Sequence, residues 1–144
     1  YLRNFMFTNC FEKMAHKNLR TLPVYRKALD LCYMSREIAS YVTLNRDLLK
    51  LYSSNSLRDH IADSLLTDSI LISKQIALAE GSKSYADRYR SVRYINIILK
   101  NINSYCTGLE RDGVKEKEYL NLLRTEIKSF RTAFKEWRKS FSQD

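Results

Sequence analysis

Along most of the chain, apolar residues return every three or four positions, the spacing that keeps them on one side of an α-helix. Four segments carry this period. A first helix is expected from about Val24 to Val42, with Tyr25, Leu29, Cys32, Ala39 and Val42 turned inward. Pro23 falls in its first turn, where the missing N–H has no helical partner to lose. A second helix runs from Leu57 to Ala79 through Leu57, Ile61, Leu65, Ile72 and Ile76. Ser56, the last residue of "SSNS", can cap it, Asp59 favours the same end, and Gly81 is expected to stop it. A third spans roughly Tyr85 to Thr107, with Tyr85, Tyr89, Val92, Leu99, Ile102 and Cys106 inward, and ends in "TGLERDG" with Gly108 and Gly113. A fourth begins near Lys115 and reaches at least Phe141, burying Tyr119, Leu123, Ile127, Phe130, Phe134 and Trp137.

No stretch alternates with period two, and no repeat or low-complexity tract interrupts the pattern. Four amphipathic helices with short connections predict an all-α, up-down-up-down four-helix bundle over residues 21–144. Residues 1–20 hold many apolar groups without a clean period and read as an N-terminal extension that packs on the body or on a partner. "LNRDLLKLY", Leu44 to Tyr52, either extends the first helix or forms a short one of its own.

Composition changes this picture in three ways. The 144 residues, with three Gly and one Pro, suit a single domain of a few long elements. The formal charge of +9 points to an acidic partner, nucleic acid or an anionic surface. That charge is uneven: residues 57–81 carry two basic and four acidic side chains, residues 82–107 five basic and one acidic. Cys10, Cys32 and Cys106 are an odd set without C-x-x-C spacing, against a disulfide framework or thiolate metal site and in favour of a cytoplasmic setting. No apolar run approaches the ~18–20 residues of a membrane span, so no membrane partner is expected.

Catalytic chemistry has little to draw on. His16 and His60 are the only histidines, and His60 with Asp63 and Ser64 shares a helix face without a Gly-rich elbow to present a nucleophile. Asp59 with Asp63, and Glu116 with Glu118, stand where acidic groups favour helix starts. Neither a phosphate loop nor a Glu-x-x-His metal motif occurs, and no enzyme activity, metal or cofactor is expected.

Two basic sets remain. Arg124, Lys128, Arg131, Lys135 and Arg138 form a stripe about 21 Å long at ~1.5 Å per residue, several phosphate spacings of a nucleic-acid strand. Glu126 and Glu136 flank it. On the third helix Arg90, Arg93 and Lys100 share an outward side with Arg88 nearby and Tyr94 among them, and rings beside cations suit single-stranded RNA or DNA. Such stripes are also the ordinary wet side of a helix.

Particular residues carry a resemblance. "LPVYRKALDL" (Leu22 to Leu31), "SLRDHIADSLLTDSILISKQIALAEGS" (Ser56 to Ser82), "YADRYRSVRYINIILKNI" and "YLNLLRTEIKSFRTAFKEWRKSF" resemble the four helices of the accessory variability determinant proteins of diversity-generating retroelements. "AEGS" at Ala79 to Ser82 is also similar to the related ribosomal-RNA intervening-sequence proteins. The Phe-Pro usual in the first connection of that fold is absent, and the extension has no counterpart. The first resemblance implies a non-catalytic, homopentameric accessory protein whose basic surface associates with a reverse transcriptase and template RNA or cDNA during mutagenic cDNA synthesis. The second implies a protein-binding bundle. Basic candidates for the first are Arg88, Arg90, Arg93, Lys100, Arg124, Lys128, Arg131, Lys135 and Arg138.

Overall fold

A computed structural model describes residues 19–44 and 55–141. The expectations for residues 1–18, including Cys10 and His16, and for the segment beyond Leu44 lie outside them. Among the described residues, a 3₁₀ turn at Leu19–Thr21 leads into four α-helices: α1 Pro23–Val42, α2 Leu57–Gly81, α3 Tyr85–Arg111 and α4 Lys117–Phe141. Each helix packs on its neighbours in sequence, α4 returns to α1, and α3 meets α4 most loosely. The neighbours run antiparallel. Tyr41 at the end of α1 meets Tyr119 at the start of α4, ring centroids 4.9 Å apart, and Arg58 at the start of α2 binds Asp112 just past α3. The bundle is the all-α, up-down-up-down arrangement that the periodicity predicts.

The helix boundaries follow local chemistry. Pro23 opens α1, and the Ser56 and Ser84 hydroxyls accept from the backbone N–H of Asp59 and Asp87 at 3.4 and 3.3 Å, capping α2 and α3. Two expected stops act differently. Gly108 stays inside α3, where a Cβ would come within 3.0 Å of Ile61 Cδ1, so it lets α2 and α3 approach. Gly113 is the turn-maker, at φ +94°, a conformation that favours glycine. At the end of α2, the chain leaves the helix through extended Ser82 rather than through a left-handed Gly81.

The core is built mainly of Leu, Ile, Val and Ala from all four helices, and each large side chain buried there contributes about 1.5–3 kcal/mol. On α4 the aromatic stripe forms a ladder, Phe130 to Phe134 to Trp137 to Phe141, with centroids 5.7, 6.0 and 4.7 Å apart. The Trp137 indole Nε1–H donates to Glu80 Oε1 at 2.6 Å, tying the end of α4 to the end of α2. Four inward assignments need correction: Leu57, Tyr85, Tyr89 and Tyr119 are exposed. All stand near the starts of their helices, where the period continues but the facing helix covers it only in part. Leu120 takes the place expected of Tyr119.

Candidate nucleic-acid interface

The cores of α3 and α4 decide where the basic residues go. Ser91, Val92, Ile95, Ile98, Leu99 and Ile102 face inward on α3, which turns Arg90, Arg93, Ile97 and Lys100 out by helical geometry. On α4 the buried Leu123, Ile127, Phe130 and Phe134 leave Lys128, Arg131 and Lys135 in solvent.

The nine candidates do not form one surface. Arg124 is held by Glu110 in a hydrogen-bonded ion pair, both side chains about three-quarters covered, and also donates to Asn121 Oδ1 at 3.1 Å. That bond holds the Glu110 carboxyl below its usual range and pushes the Arg124 guanidinium further up. Arg88 donates from Nε to the Ser82 carbonyl at 3.0 Å and lies over the Phe141 ring, 5.4 Å from its centroid. Arg138 lies 5.7 Å from the Phe134 centroid and, with Tyr85 and Tyr89, lines a small cleft between α3 and α4. Arg90 is 3.6 Å from Asp87.

Among the described residues, Arg93, Lys100, Lys128, Arg131 and Lys135 have no acidic partner, and all are exposed. The acidic groups expected to dilute the α4 stripe are engaged elsewhere. Glu126 faces α1, 3.9 Å from Lys27 Nζ, and Glu136 pairs with Lys139 at 3.3 Å. Lys128, Arg131 and Lys135 therefore face solvent with no acidic partner among the described residues.

A second feature was not foreseen. An open groove of about 1090 Å³ runs between the C-terminal half of α2 and the N-terminal half of α3. Leu78, Tyr89, Tyr94 and Ile97 wall it, each between 41% and 55% exposed, and Arg90 and Arg93 stand among them. The signal lay in Leu78 and Ile97, apolar residues at outward helical positions.

Other constellations stay apart. His60 is exposed and its imidazole makes no hydrogen bond to Asp63 or Ser64 among the described residues. No group of three His, Cys, Asp or Glu gathers there that could hold a metal ion. Cys32 and Cys106 are buried, and burial pushes the Cys106 thiol up to about 11. The Tyr105 hydroxyl donates to Asp68 at 2.6 Å, and burial together with that bond pushes it up to about 12. No described helix is long and apolar enough to cross a membrane.

No protein-family model matches the chain, and neither a curated protein nor a solved structure matches it.

Proposed function

We propose that this chain is a non-catalytic accessory protein that holds RNA or cDNA beside a reverse transcriptase, as in a diversity-generating retroelement. The observation that carries the nucleic-acid part is the exposed row Lys128, Arg131 and Lys135 on α4, without acidic partners among the described residues. The reverse transcriptase, the retroelement setting and the pentamer rest on the motif resemblance. In this reading the binding is electrostatic: each Lys or Arg that meets a phosphate releases a counterion. Copies of the chain assembled as a homo-oligomer pool rows that are short on one subunit. Arg124, already spent on Glu110, contributes least among the nine.

The test is binding of a fluorescent single-stranded RNA across a salt series. The Lys128→Glu, Arg131→Glu, Lys135→Glu variant should bind more weakly, with a log–log salt slope reduced by about two, since each phosphate contact on a single strand adds roughly 0.7. Its helical circular dichroism should not change, because all three side chains are exposed. RNA affinity indifferent to salt, or untouched by the triple reversal, would sink the nucleic-acid part and leave the protein-binding bundle of the intervening-sequence type.

A further inference from the structure

We infer that the groove between α2 and α3 is the docking site for an amphipathic helix of the protein partner, one whose apolar stripe is bordered by Asp and Glu. The inference rests on the accessory reading for the existence of a protein partner and on none of its nucleic-acid part.

The groove's chemistry selects the occupant. Its most exposed apolar side chains, Leu78 at 54% and Ile97 at 55%, are branched aliphatics. They are the kind of surface an apolar helix stripe covers, and Tyr89 and Tyr94, which wall the same groove, add ring faces that such a stripe can pack on. Burying a side chain of this size from that degree of exposure is favourable, and a groove carries several together. Ala77, Ala86 and Ser91 are small and also line the groove, so a helix backbone can come close between the larger walls. From Ala86 to Ile97 is eleven residues, about 16 Å of α3 at ~1.5 Å per residue, which matches three turns of a docked helix.

Charge decides what borders the stripe. Arg93 has no acidic partner among the described residues, and Arg90 is 79% exposed with its side chain only 3.6 Å from Asp87, an i,i+3 contact of little strength. Asp87 is the one acidic residue lining the groove, and it also accepts from the Ser82 hydroxyl at 3.2 Å. The rim is therefore net basic and complements carboxylates. Residues 1–18 of this chain, with three basic residues and one acidic, do not match it.

The experiment uses the full chain and two labelled eighteen-residue helical peptides as probes. Both carry Leu at positions i, i+4, i+7 and i+11; one has Glu beside the stripe, the other Lys. Fluorescence anisotropy should show the Glu-bordered peptide bound roughly tenfold or more tightly than the Lys-bordered one, as expected where opposite charges meet across an interface. Leu78→Ser with Ile97→Ser should abolish the difference by removing the binding. Both positions are more than half exposed, so the double variant should fold, which its thermal melt checks. A separate Arg90→Ala, Arg93→Ala variant should bind both peptides alike. Equal affinity for the two peptides, or none for either, overturns the inference. So does loss of single-stranded RNA binding in the Leu78, Ile97 variant, which would make nucleic acid the occupant. A lower oligomeric mass in that variant would make it a second copy and likewise overturn the inference. The Lys128, Arg131, Lys135 reversal should leave the Glu-bordered peptide bound, so failure of the nucleic-acid reading and failure of the groove are read separately.

Discussion

The two ends of the bundle handle charge in opposite ways. At the end formed by the α3–α4 turn, the protein's charges face one another. Arg58 donates from Nε to Asp112 Oδ2 and from Nη2 to the Asp112 carbonyl, both at 2.9 Å, and Arg124 is bound to Glu110. At the end formed by the α2–α3 turn, Arg88 and Arg138 lie on aromatic rings. A ring attracts a guanidinium without saturating its five N–H donors, so Arg138, exposed at this end, can still meet a further acceptor. The apolar side chains of the groove are open toward the same end. One end is closed by its own ion pairs, while the other holds together by aromatic packing and leaves charge and apolar surface for another molecule.

Substitutions can break this contrast, the largest effect at the aromatic end. Trp137→Ala should cost about 3–5 kcal/mol, because it empties the middle of the α4 ladder and removes the indole bond that ties α4 to Glu80. Denaturant unfolding followed by circular dichroism measures it; a loss under 1 kcal/mol would mean that the ladder does not hold this end. Arg58→Ala should cost less, about 1–2 kcal/mol. Its two hydrogen bonds are charge-assisted, but the side chain is 34% exposed and water replaces part of them.

Tyr105→Phe sharpens the contrast from the middle of the bundle, at about 1 kcal/mol for one hydrogen bond. It also carries a pH signature. Tyr105 titrates at about 12 in the folded chain against about 10 in an unfolded one, so between those values the folded state holds more protons. Its contribution is complete below pH 10 and is lost as pH rises toward 12. The Phe variant should show a shallower fall in stability across that window than the parent chain does.

Much of the fold was legible in the sequence, since a bundle is specified by where apolar residues repeat. The α4 stripe shows this best: Leu123, Ile127, Phe130, Phe134 and Trp137 were all expected inward and are buried. What period cannot convey is where the facing helix ends. Tyr85, Tyr89 and Tyr119 keep the rhythm of the core yet stand near helix starts, where the facing helix covers them only in part. Gly108 illustrates a second limit, because a glycine that admits a neighbour and one that ends a helix look alike until Ile61 is seen beside it.

The candidate site was less legible, for a related reason. Whether a Lys or Arg is spent depends on residues brought near by the turns. Arg124 meets Glu110 fourteen positions earlier, across the α3–α4 turn, and Glu126 turns to Lys27 on α1. The groove required knowing which sides of α2 and α3 adjoin, which no single helix records. Leu78 and Ile97, unremarkable apart, become one surface only when the two helices are placed side by side.

The bond between Trp137 and Glu80 gives the chain a spectroscopic property. It has a single tryptophan, 5% exposed, with the indole N–H on the Glu80 carboxylate at the end of α2. Its emission is a local signal from the α2–α3 end alone, blue-shifted while the indole stays enclosed. Loosening of that end would move the emission red before the helices melted, so one fluorophore separates fraying of the open end from unfolding of the whole.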